Sequence, residues 1–173
     1  PSSLVGSEMC IRDRHEAGVD IVVDGELRRD NFYSFITDKV EGTELMSLAD
    51  MLDTVDDKAA FEEMLQTLDA PAFAIRNPTC TGRLQRREPL AVNELKFLRS
   101  LTDRPVKVTL PGPYLLTRAM WVTSFTKGVY GDKPVMADDI VQLLRDELQD
   151  LVAENVEFVQ FDEPVLTEVV HSG

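Results

Sequence analysis

The chain has 173 residues, 43% of them hydrophobic, which is enough for one domain with its own core. It contains no apolar run long enough to span a membrane. Its formal net charge of −13 would repel phosphate backbones and anionic lipid surfaces, so we expect small-molecule partners rather than nucleic acids or membranes.

The N-terminal residues 1–13, PSSLVGSEMCIRD, lack both the charged start and the continuous apolar stretch of a secretory signal. They join abruptly to RHEAGVDIVVDGE, and we predict that they are a non-native segment; a frayed N-terminal helix is the alternative. The two cysteines, Cys10 and Cys80, lie 70 positions apart and match neither a disulfide framework nor a compact metal motif. We therefore expect a reducing, cytoplasmic setting and a structural role for Cys80.

Three short segments have the composition of strands: VDIVVDGE (19–26), PVKVTLPGP (105–113) and VEFVQFDEP (156–164). Amphipathic helical patterns precede the second and third, in PLAVNELKFLRSLTD and MADDIVQLLRDELQDLVAENV. In the latter, the predicted apolar stripe comprises Ile140, Leu143, Leu144, Leu148, Leu151 and Val152. A helix followed by a strand, more than once, indicates parallel βα units.

The alternation within these strands indicates which faces are polar. It groups Ile21 with Val23 on one face of the first strand, and Asp24 with Glu26 on the other. Since strands of a doubly wound sheet are apolar on both faces, this split favours an α/β fold of the (β/α)8 TIM-barrel type with a polar upper lumen. We predict an incomplete barrel over residues 14–173, with about four or five of the eight units. An antiparallel sheet with one wet face is the alternative.

The stretch between the first two strands has helical apolar spacing, clearest at Phe61, Met64, Leu65 and Leu68. We predict a helical insertion over about residues 40–72, lying beside the barrel mouth.

Acids stand where the first and third strands end, at Glu26, Asp162 and Glu163. In TIM barrels the working groups lie at the carboxyl ends of the strands, where carboxylates bind an ammonium group, hold a metal or move protons. A solvated acidic loop is the plainer alternative, and a glycoside hydrolase using Glu26 with an acid of the Asp162/Glu163 pair is another. Arg28 and Arg29 are expected to be exposed arginines that pair with Asp30.

Three motifs, GVDIVVDGELRRDNFYSF, LTDRPVKVTLPGPYLL and VEFVQFDEPVLTE, occur in an order and spacing that resemble the catalytic domain of the cobalamin-independent methionine synthase family. The resemblance implies a TIM barrel that transfers a methyl group from a 5-methyltetrahydropteroyl-glutamate donor to homocysteine on zinc, without cobalamin. It also implies that Glu26 and Asp162 bind homocysteine. Glu168 and, with a spacing two residues longer, Trp121 would bind the methyl donor; a packing role is the alternative for Trp121.

The resemblance also implies what this chain lacks. The family's zinc ligands, a His-x-Cys pair, a glutamate and a distant cysteine, follow the DEP strand, and no His-x-Cys pair occurs in this sequence. The family's donor-binding Arg-Cys pair has no match either, which leaves a related thiol or donor open. We predict a fragment of the barrel that is inactive alone, without metal ligands of its own; a non-catalytic fragment is the remaining alternative.

Overall fold

The structure is a computed structural model that describes residues 2–29, 31–47, 50 and 76–167. Its helices and strands, in chain order, are α1 (Ser2–Glu16), β1 (Val40–Ser47), β2 (Arg76–Arg86), α2 (Val92–Arg99), β3 (Lys107–Pro111), α3 (Pro113–Met120), α4 (Thr123–Tyr130), α5 (Lys133–Ala153) and β4 (Phe158–Asp162). Short 3-10 turns cover Ser34–Asp38 and Pro164–Leu166. The predicted α/β class is confirmed. Among the helices within these ranges, none is long and apolar enough to cross a membrane.

The parallel strands form the part of the fold that positions the candidate site. β3 and β4 pair in parallel from Lys107↔Phe158 to Pro111↔Asp162. On the other side of β3, Val22 makes an isolated parallel bridge to Val106, with its amide 2.9 Å from the Pro105 carbonyl oxygen. The predicted parallel βα arrangement is therefore confirmed for these three segments, and the antiparallel alternative is wrong for them.

The predicted strand at residues 19–26 is reduced to that single bridge. Gly25 and Glu26 both adopt positive φ angles, 76° and 60°, which no β-strand accommodates, so the chain turns away immediately after Asp24. The predicted orientation of the side chains is also wrong for this segment. Asp24, which was predicted on the polar face, is buried together with Val22, whereas Ile21 of the apolar face is 38% exposed. In β3, by contrast, residues of both faces are buried: Val108, Thr109 and Leu110.

The prediction of a helical insertion is wrong for residues 40–47, which form strand β1. β1 and β2 make a separate antiparallel hairpin, with Val40↔Arg86 at one end and Ser47↔Arg76 at the other. The register shifts near Gly42, whose φ is 79° and where a Cβ atom would lie 2.3 Å from the Arg83 carbonyl oxygen. Pairing with a distant strand has overridden the local helical spacing. Residues 48–49 and 51–72 of the predicted insertion lie outside the described ranges.

Helix α5 packs against α2, α3, α4 and the strand β2, and so connects several elements. The side chain of Asp132 caps its start by accepting a hydrogen bond from the Val135 amide at 3.2 Å. Its buried stripe consists of Met136, Ile140, Leu144, Glu147 and Leu151, so the predicted stripe is confirmed at three positions. Val152, predicted on the same stripe, is 61% exposed and is a correction.

The predicted non-native segment lies within helix α1. A helix is what the alternative interpretation of this segment expected, and its residue Ile11 is fully buried in the core. The guanidinium of Arg14 donates a hydrogen bond to the Val23 carbonyl, which ties α1 to the segment before Glu26. The non-native origin of residues 1–13 stays a prediction.

Candidate functional site

Glu26 lies in a tight turn at the carboxyl end of the Val22 segment. Its amide donates a hydrogen bond to Oδ1 of Asp24 at 3.0 Å, so the Asp24 side chain holds the turn in place. Asp24 is only 6% exposed, and its other oxygen, Oδ2, has no hydrogen-bond partner in the described structure. The left-handed φ of Glu26 is uncommon for a residue with a side chain and marks a position where geometry is imposed by the surroundings.

Arg29 lies beneath this turn rather than on the surface. Its side chain is 2% exposed, and its Nη1 lies 3.4 Å from Oε2 of Glu26. Its Nε and Nη2 contact the Glu94 carboxylate at 3.0 and 2.6 Å. The prediction of an exposed arginine is therefore wrong for Arg29, because Glu94 of α2 supplies a buried partner from a distant part of the sequence. Asp30, the predicted partner, lies outside the described residues.

Asp162 is the last residue of β4, directly beside Pro111 of β3. Its carbonyl oxygen accepts a hydrogen bond from the Gly112 amide at 2.8 Å, and its Oδ1 accepts one from Gln160. Its carboxylate also faces a cleft of about 420 Å³ that is lined by Phe32, Asp162, Glu163 and Pro164.

The neighbouring acid, Glu163, has a structural task. Its two carboxylate oxygens accept hydrogen bonds from the amides of Tyr114 and Leu115, at 2.7 and 2.8 Å, and so cap the start of α3. Of the two adjacent acids, Asp162 is therefore the one whose carboxylate is available to a ligand.

The electrostatics connect the two strand ends. Burial raises the pKa of Glu26, the Arg29 guanidinium opposes this rise, and the carboxylates of Asp24, Asp162 and Glu94 add to it. Glu26 and Asp162 follow parallel segments that lie on opposite sides of β3, so both predicted residues are at the carboxyl edge of these segments. Carboxylates at such an edge suit an ammonium group.

The other predicted site residues are not part of this edge. Trp121 follows the last residue of α3, at the opposite end of that helix from Gly112; it packs against the core, and its Nε1 donates to Thr123 Oγ1 at 3.2 Å. Its packing role agrees with the alternative, and its contact with a methyl donor stays a prediction. Glu168 lies outside the described residues. Arg28 stacks its guanidinium 4.3 Å from the centre of the Phe97 ring.

The described residues do not fit a zinc site. Within the described ranges, no group of three or more His, Cys, Asp or Glu residues is placed to hold a metal ion. Cys80 is fully buried in β2 and donates its thiol hydrogen to the Gly82 carbonyl at 3.2 Å; burial raises the pKa of this thiol to about 11. A thiol held in its protonated form is the opposite of what a metal ligand requires, and the predicted structural role of Cys80 is confirmed.

Sequence reasoning missed Arg29, Glu94 and Asp24 as parts of the site. Arg29 and Glu94 are separated by 65 positions, and no local sequence pattern indicates that the two side chains pair. For Asp24 a signal existed, because an Asp that precedes Gly at the end of a strand is typical of a side-chain-supported turn.

Comparison with known proteins agrees with this geometry. The family described as "Cobalamin-independent synthase, Catalytic domain" matches residues 5–172. The 5-methyltetrahydropteroyltriglutamate–homocysteine methyltransferase of Thermosynechococcus vestitus is 32% identical over 159 residues, which are 92% of this chain and 18% of that protein. The methionine synthase of Saccharolobus solfataricus is 29% identical over 157 residues, 90% of this chain and 40% of that protein.

A solved structure is also similar. The B12-independent methionine synthase from Shewanella sp. W3-18-1, in complex with selenomethionine, superimposes with a TM-score of 0.68 at 25% identity, over 98% of this chain and 44% of that one. The chain thus spans less than half the length of each of these relatives. The match over residues 5–172 nevertheless takes in the parallel strands, Glu26 and Asp162, and the chain belongs to the cobalamin-independent methionine synthase catalytic-domain family.

Proposed function

We propose that this chain is part of a (β/α)8 catalytic barrel that methylates the sulfur of homocysteine, or of a related thiol, from a 5-methyltetrahydropteroyl-glutamate donor without cobalamin. Three parallel segments in consecutive sheet positions, with acids at the carboxyl edge, support the barrel. The relatives' names, homocysteine methyltransferase and methionine synthase, support the reaction. The chain alone is predicted to be inactive.

The placement of Glu26 and Asp162 at the same edge of the parallel segments is the observation that carries this proposal. A thiol amino acid presents one permanent cation at neutral pH, its α-ammonium group, and two carboxylates at one edge can accept hydrogen bonds from it. Fixing that group orients the substrate, so that its sulfur is held in one place for reaction. The role of these two acids in the proposal is binding and orientation, not proton transfer.

The proposal also includes the methyl donor, the metal and the cellular setting. The donor would contact Glu168 and Trp121. Zinc belongs to the proposal only for the complete family member, with ligands outside this chain. We expect a cytoplasmic protein whose partners are a small thiol and a methyl-folate-type donor.

The glycoside hydrolase alternative is not favoured by the comparisons, because the relatives described above are methyltransferases and methionine synthases. A glycoside hydrolase needs two carboxyl groups that are both free to act on the sugar. Because Glu163 is engaged with two backbone amides of α3, that alternative would have to use Glu26 with Asp162.

The proposal is tested by a chimera in which residues 5–172 replace the matching segment of the Saccharolobus solfataricus methionine synthase. We expect methionine to form from homocysteine, and expect Glu26→Gln and Asp162→Asn each to lower kcat/KM by about 10- to 100-fold, because each removes one charge-assisted hydrogen bond. Arg87→Gln, an exposed position in an ion pair with Glu41, serves as the matched control. An active chimera that tolerates both acid substitutions would refute the assignment of this site.

A further inference from the structure

The guanidinium of Arg29 is fixed on three sides. The Glu94 carboxylate accepts hydrogen bonds from Arg29 Nε at 3.0 Å and from Arg29 Nη2 at 2.6 Å. The same Nη2 donates to the Thr109 carbonyl oxygen at 2.8 Å. The face of the Phe35 ring lies 4.3 Å from the guanidinium carbon. A planar group held by a carboxylate, a strand carbonyl and an aromatic face has little freedom to rotate.

The third nitrogen of Arg29, Nη1, indicates what this fixed arrangement does. Nη1 is buried without a hydrogen-bond partner in the described structure, and it lies 3.4 Å from Oε2 of Glu26. A buried donor without a partner costs about 1–3 kcal/mol, so such a group calls for an explanation. Here the nitrogen faces a carboxylate that is itself 26% exposed, and that is therefore open to a ligand on its other side.

The charges around Glu26 are otherwise unfavourable to it. The charges of the Asp24, Glu94 and Asp162 carboxylates raise the pKa of Glu26, and the charge of Arg29 lowers it. Arg14, from α1, lies against Gly25 and donates to the Val23 carbonyl. If Arg29 were neutral, three neighbouring negative charges would favour protonation of Glu26, and a protonated carboxyl would lose most of its attraction for an ammonium group.

We propose that Arg29 is a positioning residue, which keeps the Glu26 carboxylate charged and in place to receive the ammonium group of an amino-acid ligand. Glu94 and the Thr109 carbonyl hold Arg29, and Arg29 in turn holds Glu26. The identity of the ligand rests on the proposed function; the link from Arg29 to Glu26 does not.

The test is a titration of the Glu26 side-chain carboxyl carbon by NMR in the 173-residue chain. Arg29→Gln is expected to raise the Glu26 midpoint by about 1 pH unit, because a neighbouring cation has been removed. Arg29→Lys keeps the charge and should produce less than half of that rise. Arg87→Gln, whose side chain is 57% exposed in its pair with Glu41, should leave the midpoint unchanged. A folded Arg29→Gln protein with an unaltered midpoint would overturn the proposal.

A second measurement needs no substitution at Arg29. In the unmodified chain, the side-chain nitrogen signals of Arg29 should shift with the same midpoint as the Glu26 carboxyl carbon, and a flat Arg29 response would overturn the coupling. Homocysteine is then added at pH 7. If Arg29 and Glu26 titrate together but homocysteine does not bind, the proposed function is contradicted and the role of Arg29 stands. If homocysteine binds but Arg29 and Glu26 do not titrate together, the role of Arg29 is contradicted and the proposed function stands.

Discussion

At the scale of single residues, Glu147 shows how one carboxylate connects three elements. It is fully buried in α5 and accepts hydrogen bonds from the amides of Leu90 and Ala91, at 2.5 and 2.8 Å. Arg86 of β2 donates to the same carboxylate at 2.9 Å. The charge is thus compensated on the hairpin side and at the entrance to α2, and its burial is tolerated for that reason.

Glu147→Ala should lower the free energy of unfolding by about 3–5 kcal/mol, because it leaves Nη1 of the part-buried Arg86 and two buried amides without their acceptor; Nη2 of Arg86 keeps its bond to Asp150. Urea denaturation followed by circular dichroism measures this. Glu41→Ala is the matched control: its carboxylate is 51% exposed and pairs with Arg87 at 3.0 Å, so we expect a loss of at most about 1 kcal/mol. Equal losses for the two variants would contradict this account of Glu147.

The stability of the chain should also depend on pH through Glu26. Burial raises the pKa of this group above its ordinary value of 4.5, so the folded state binds the proton more tightly than the unfolded state does. The contribution of Glu26 to stability is therefore present below about pH 4.5 and is lost as the pH rises through the folded-state value.

Relative to Glu26→Gln, which does not titrate, the unmodified chain should accordingly become less stable as the pH increases above 4.5. The measurement is the difference in unfolding free energy between the two proteins across pH 4 to 7, since that window brackets the ordinary glutamate value. A difference that is constant with pH, or that changes in the other direction, would show that the environment of Glu26 is not as described.

Cys80 should be almost inert in the folded chain. With its pKa raised to about 11 by burial, the fraction present as thiolate is about 100-fold smaller than for an ordinary thiol. In a Cys10→Ser background, iodoacetamide should therefore modify folded Cys80 about 100-fold more slowly than the same residue in urea. Similar rates in the two conditions would mean that β2 does not bury it.

At the scale of elements, the junction between β4 and α3 depends on a glycine. A Cβ atom at Gly112 would lie 2.1 Å from Oε1 of Glu163, the carboxylate that caps α3. Glycine leaves room for this carboxylate, so the chain after β4 can reach across and satisfy the amides of Tyr114 and Leu115. The sequence motifs LPGP and DEP therefore form one structural unit, although 51 positions separate Gly112 from Glu163.

Gly112→Ala and Glu163→Ala should each cost about 1 kcal/mol of unfolding free energy, because both remove the same cap. The double variant should cost about as much as either single one, rather than their sum. Gly128→Ala, in α4 with nothing within 4 Å of the added Cβ, is the control and should stabilise by about 0.5–1 kcal/mol. Additive losses in the double variant would separate Gly112 from the cap.

Local signals predicted some elements better than others, for physical reasons. Helix α5 has a capping Asp132, an early proline and a long amphipathic stripe, so its prediction rested on interactions within the helix itself. The hairpin of β1 and β2 depends on pairing across about 40 positions and on a positive φ at Gly42, and no local spacing in residues 40–47 indicates it.

At the scale of the whole molecule, the candidate site was predictable only in part. Parallel strands with acids at their ends indicated Glu26 and Asp162, because the carboxyl ends of such strands share one edge. The ion pair of Arg29 with Glu94 was not predictable, because charge pairs between distant helices and loops leave no periodic pattern in the sequence. The side-chain orientation at residues 21–24 was mistaken because the buried face of this segment is the one that carries the polar Asp24, whose side chain supports the following turn.

The face of β4 that carries Phe161 also bears on the barrel proposal. Phe161 is 39% exposed and lines an apolar groove of about 260 Å³ with Val141, Leu144 and Leu148 of α5. In a (β/α)8 barrel such a surface is covered by the neighbouring βα unit, so the barrel proposal accounts for the presence of large apolar side chains here.

The most direct test of the central claim, that Glu26 and Asp162 form one ammonium site, is calorimetric titration of the chain with homocysteine and with 4-mercaptobutyrate, which lacks the amino group. Homocysteine should bind, 4-mercaptobutyrate should not, and Glu26→Gln and Asp162→Asn should each weaken homocysteine binding by about 10- to 100-fold, with Arg87→Gln unaffected. Equal binding of the two thiols, or homocysteine binding that survives both acid substitutions, would contradict the account.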